Sequence, residues 1–112
     1  MKYQMQNQLY KNIYEVISLA SEYPSIKRIG IFGSIARGEQ QSESDLDVIY
    51  DYDETNEYGT GELLGYIEAI NDTLIEITNA TKIDYVWYKG IMESENVIFK
   101  NNVLKDITWI YG

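Results

Sequence analysis

Apolar positions follow two rhythms along this chain, one of three to four residues and one of two. Leu9, Ile13, Val16, Ile17 and Ala20 recur at helical spacing, and the pattern stops before Pro24, so a helix is predicted there. Ile26–Phe32, IKRIGIF, is apolar and β-branched and halts at Gly33-Ser34, which predicts a strand. Ser34 is expected to cap a short helical turn over Ile35–Gly38. The polar run EQQSES, residues 39–44, reads as a loop.

From Asp45 to Asp53 the period becomes two. Asp45, Asp47, Ile49, Asp51 and Asp53 share one face, and Leu46, Val48, Tyr50 and Tyr52 the other, which predicts a strand with one face buried. Glu54–Gly61 reads as a loop. Leu63, Ile67, Ile70, Leu74 and Ile77 then trace a helical stripe. Lys82–Lys89, KIDYVWYK, is the third predicted strand, with Tyr85 expected in the core and Trp87 packed on a helix. Ser94 is predicted to cap a last helix reaching about Leu104, and Thr108–Tyr111 to add a short terminal strand. The expected fold class is α/β (α+β): a small mixed β-sheet with helices packed mainly on one face, in a single domain over residues 1–112.

Composition narrows the chemistry. The chain has no cysteine and no histidine, which excludes thiolate metal sites and a Ser-His-Asp triad. Any metal would sit on oxygen ligands, as Mg²⁺, Mn²⁺ and Ca²⁺ do. The formal net charge of −9 disfavours direct binding to a nucleic-acid backbone and fits a basic protein partner, or simply solubility. The opening MKYQMQNQLY lacks the apolar centre of a signal peptide, and no run approaches transmembrane length, so a cytoplasmic, non-membrane protein is expected.

Two local features carry chemistry. Gly33-Ser34 sits where a strand turns into a helical start: glycine permits close backbone approach, and the free N–H groups and the serine hydroxyl can hold an anion. Alone, such a dipeptide is usually a plain turn. Ten residues later, Asp45 and Asp47 lie on one strand face, with Cα atoms ~7 Å apart. Like charges that close repel unless a cation neutralises them, and a pair of metal ions there would suit a phosphoryl-type displacement. Asp51 and Asp53 read as a solvated strand face. An EF-hand is excluded, because DLDVIYDYD lacks the central glycine. Asp84 would complete a carboxylate triad if its strand lies beside that of Asp45 and Asp47; otherwise it is an ordinary exposed polar residue.

Gly33-Ser34, ten residues, then Asp45-Leu46-Asp47 resembles the signature of the DNA polymerase β-like nucleotidyltransferase superfamily. GSIARG followed by SDLD is similar to the minimal nucleotidyltransferases within it, and the closing ITWIY resembles their last strand. The resemblance implies transfer of AMP from ATP to a hydroxyl. Asp45, Asp47 and Asp84 would hold Mg²⁺, as two ions, and Asp84 would serve the acceptor. Gly33 and Ser34 would hold the β- and γ-phosphates. Arg37 falls on the arginine of the family's GSxARG pattern, where it would pair with a phosphate or bridge to the acidic strand. It further implies pairing with a HEPN-type toxin, a tyrosine of which would receive AMP from an antitoxin of the MntA type. Two alternatives stand beside this: an antitoxin acting by contact alone, and a catalytic subunit that modifies a small molecule.

Overall fold

A computed structural model describes residues 12–37, 45–53 and 60–112. Its elements in chain order are α1 (Tyr14–Ser21), β1 (Ile26–Phe32), α2 (Gly33–Ala36), β2 (Leu46–Tyr52), α3 (Thr60–Thr78), β3 (Ile83–Trp87), α4 (Tyr88–Met92), α5 (Val97–Asp106) and β4 (Thr108–Tyr111). Leu9 and the 39–44 loop lie outside the described residues, as does most of the loop expected over 54–61.

The four strands form one mixed sheet in the order β3-β2-β1-β4. β1 pairs antiparallel with β2 and with β4. β2 and β3 are parallel, and α3 makes the crossover that a parallel pair requires.

The period-two reading of β2 sorts its side chains as expected. Leu46, Val48 and Tyr50 enter the main core with Ile29 and Ile31 of β1, and α1 and α3 cover that face through Val16, Ala20, Leu63, Ile67, Ile70 and Leu74. Each buried Val, Leu or Ile among them contributes roughly 1.5–3 kcal/mol of hydrophobic stabilisation. Tyr50 is fully buried there, and its hydroxyl donates to Asn71 Oδ1 at 2.5 Å. Burial pushes that phenol well above its ordinary value, so it stays neutral.

The opposite face carries a smaller cluster, in which Ile49, Ile91 and Val103 are buried beside Phe32, Val86 and Trp109. Here α4 and α5 approach closely. A Cβ on Gly30 would stand 3.0 Å from Ile107, Ile49 and Trp109 at once, so the α5–β4 junction packs against bare backbone.

Three local expectations are corrected. The cap of α5 is Asn96, whose side chain accepts from Phe99 N, whereas Ser94 Oγ accepts from Asn96 N one step earlier. Tyr85 is 40% exposed, because β3 is an edge strand that the helices only partly cover. Asp51 is not a free solvated group: Arg28 Nη2 lies 2.9 Å from its carboxylate, with the guanidinium over the rings of Trp109 and Tyr88 at 4.0 and 4.8 Å. Trp87 does pack on the main core, edge-on to Tyr52 at 5.0 Å.

Among the described residues, no helix is long and apolar enough to cross a membrane.

Candidate active site

The site lies at one end of the sheet, on the face of the smaller cluster. Three chain segments meet there: the β1–α2 turn, the start of β2 and the start of β3.

β1 ends on Phe32, which pairs with Asp47 of β2. The next residue, Gly33, takes a φ of +73°, a backbone state that side-chain-bearing residues avoid. The chain then makes the helical turn α2, closed by Arg37 N donating to Gly33 O at 3.1 Å. The turn therefore begins at Gly33 and not, as expected, after a Ser34 cap. The expectation for the Ser34 hydroxyl lies outside the described side chains.

Gly33 is obligatory here for a second reason. A Cβ on it would stand 2.3 Å from Asp47 Oδ2. The carboxylate of Asp47 fills the space that any other residue at position 33 would claim.

β3 brings the third carboxylate. The parallel register sets Leu46 opposite Ile83 and Asp47 opposite Asp84. Asp84 thus arrives on the same face as Asp47, next to it across the strand pair. The third strand does lie beside the acidic one, which was the condition for a triad. Asp84 is also exposed, with 59% of its side chain accessible.

Burial is the chief cause that lifts the Asp47 carboxyl above its ordinary value of 3.8; the charges of Asp84 and Asp45 add to it, and Arg37 opposes them. Negative charge at this end of the sheet is therefore in excess.

Arg37 meets Asp106 at the end of α5 in an ion pair. Asp106 is a partner beyond the two expected for it, reached because α5 folds back across the sheet to α2, while the Arg37 charge also acts on Asp47 of the acidic strand. Two further cationic groups escaped the sequence reading. Arg28 serves Asp51, and Lys82 lies between the site carboxylates, 3.6 Å from Asp45 and 3.9 Å from Asp84. The signal for Lys82 was present: it stands two residues before Asp84, hence on the same strand face.

The donor set fits a divalent ion in kind. It is all oxygen and carries surplus negative charge, and one member is pressed against a glycine turn. Among the described residues, no three acidic groups are already gathered as a metal cluster.

The chain matches the family model "Polymerase beta, Nucleotidyltransferase" over residues 14–104. It belongs to the polymerase β-like nucleotidyltransferases. This nucleotidyltransferase is 34% identical over 85 residues to the "Putative protein adenylyltransferase MJ1379" of Methanocaldococcus jannaschii, covering 76% of this chain and 77% of that one. Its fold is similar to a solved structure described as a minimal nucleotidyltransferase, with a TM-score of 0.61, 22% identity and 94% of each chain covered. It is also similar to a chain of a toxin-antitoxin crystal structure with AMP-PNP, with a TM-score of 0.57, 19% identity, and coverage of 90% of this chain and 73% of that one. The mixed sheet and its helices are those of the nucleotidyltransferase fold.

Proposed function

We propose that this nucleotidyltransferase moves AMP from ATP to a hydroxyl of a protein, and that its target is a tyrosine of a HEPN-type toxin for which it is the antitoxin. The observation that carries the reading is Asp47 standing between the Gly33 turn and Asp84. A turn that opens a helix with free N–H groups suits phosphate, and a carboxylate pair beside it suits the cation that accompanies phosphate. The relatives named for protein adenylyltransfer and the toxin-antitoxin neighbour with an ATP analogue support this acceptor and donor. A cytoplasmic setting, where ATP and Mg²⁺ are available, goes with it.

In this reading Asp45, Asp47 and Asp84 would hold Mg²⁺, and Gly33 and Ser34 would receive the β- and γ-phosphates. The metal would stabilise charge on the attacking and leaving oxygens. Asp84, the most exposed of the three carboxylates, faces the acceptor and takes the proton of its hydroxyl. The acceptor oxygen then bonds to the α-phosphorus of ATP, and pyrophosphate departs. The Asp47 carboxylate, braced against Gly33, keeps its place while the more accessible groups exchange partners.

The second reading is an antitoxin that works by contact. It is favoured by the exposed apolar residues Val97, Ile98 and Phe99 at the start of α5, with Met92 nearby, at 63, 77, 42 and 41% exposure.

One experiment separates the two. The protein is incubated with Mg²⁺, α-labelled ATP and the product of the neighbouring reading frame, beside an Asp45→Ala/Asp47→Ala control. Label that moves onto the partner, and is lost in the control, supports transfer. Tight complexes without label in either case sink transfer to this acceptor and leave the contact reading.

A further inference from the structure

Lys82 is the residue that leads into β3. Its carbonyl accepts from Leu46 N at 3.0 Å, so its backbone is tied to the start of β2. From that anchor its ammonium reaches carboxylates on two strands, 3.6 Å from Asp45 Oδ2 and 3.9 Å from Asp84 Oδ1. Both distances exceed a hydrogen bond, and 62% of the side chain is accessible. The ammonium is held by charge and is free to exchange. Arg28 is attached to Asp51, and Arg37 pairs with Asp106 while its charge acts on Asp47, the carboxylate that Lys82 is not seen to reach.

We propose that Lys82 is the resident cation of this site: a positioning residue that holds Asp45 and Asp84 together and whose ammonium gives way to a divalent ion. The inference rests on the reading of these carboxylates as metal ligands. The acidic end of the sheet has to be neutralised in the free protein, and Lys82 supplies one positive charge to two of its three carboxylates. A divalent ion drawing on the same oxygens brings twice the charge, and two cations so close repel. Lys82 therefore weakens the binding of a divalent ion that arrives alone. Once displaced, the ammonium remains beside the site on its flexible stem, where it can meet the negative charge of a polyphosphate. The arrangement favours a metal that arrives together with its nucleotide over the bare ion.

The test is Mn²⁺ binding without nucleotide, followed through the electron paramagnetic resonance of free Mn²⁺, for the full chain and for Lys82→Met, Lys82→Gln and Lys82→Arg. The neutral variants are expected to bind Mn²⁺ roughly three- to tenfold more tightly, the range that two exposed ion pairs support, and Lys82→Arg to stay near the parent. Two neutral variants of different polarity guard against one of them folding poorly, which thermal melting in chelator checks. Equal or weaker binding by folded neutral variants, with the parent still binding, overturns the role of Lys82 and leaves the metal site standing. Folded parent and folded neutral variants that all fail to bind Mn²⁺ overturn both.

Discussion

Gly33 and Asp47 share one space: the side chain that Gly33 lacks would lie 2.3 Å from Asp47 Oδ2. The turn proposed for phosphate and the carboxylate proposed for metal are therefore fixed against each other. Neither can shift without the other.

Gly33→Ala tests that coupling. The variant must leave the positive φ or push Asp47 aside, at a cost of about 1–3 kcal/mol in stability. It is expected to melt lower than the parent and to lose at least tenfold in Mn²⁺ affinity, read by calorimetry. Unchanged Mn²⁺ binding would show that Asp47 is not positioned by the turn.

Asp47 carries a stability penalty in the metal-free protein. Its folded pKa is raised, first by burial and then by Asp84 and Asp45, so the folded chain keeps a proton that the unfolded chain releases. Stability therefore falls as the pH rises from the ordinary value of 3.8 through the raised one, and stays lower above it. Asp47→Asn removes this loss. In chelator at neutral pH the variant should melt above the parent, with the gap closing in acid, while nucleotide transfer disappears. A gap that is the same at every pH would refute the assignment.

Arg37 opposes the rise at Asp47 while pairing with Asp106. Arg37→Met should move the acid limb of Mn²⁺ binding to higher pH, because Asp47 then holds its proton more tightly. Asp106→Asn keeps the guanidinium charge and should move that limb much less. Identical profiles for the two variants would mean that Arg37 acts only as a strut between α2 and α5.

Arg28 belongs to the frame and not to the chemistry. Arg28→Met gives up the Asp51 ion pair and the faces of Tyr88 and Trp109, at a cost of about 1 kcal/mol for a side chain a third exposed. Denaturant melts should report that loss, with Mn²⁺ affinity per folded molecule unchanged. A fall in affinity would place Arg28 in the site's electrostatics.

Much of this was legible in the residue pattern because periodicity is a local property. The run Ile26–Phe32 has the bounds of β1, the alternation after Asp45 sorts the two faces of β2, and the stripe from Leu63 to Leu74 is the buried side of α3. What escaped depends on register and on the return path of the chain. Which arginine meets which aspartate is decided by the β1–β2 pairing and by α5 folding back on α2. Ser94 and Asn96 can both cap, and the course of the chain leaving α4 selects the second. Tyr85 has a core residue's chemistry at the edge of a sheet. The spacing around Asp45 and Asp47 named two carboxylates of the candidate site, but only strand order brings Asp84 beside Asp47.

That strand order also sets when the site comes into being as the chain folds. β1 and β2 are antiparallel neighbours separated by residues 33–45, whereas β3 can join β2 only after the nineteen-residue helix α3 has crossed the sheet. Until that slow, long-range pairing closes, Asp47 and Asp84 do not face each other and their repulsion does not exist. The electrostatic barrier is thus met at the step that adds β3 to the sheet. A cation present during refolding should speed that step, and only with it does the pair Asp47 and Asp84 come into being.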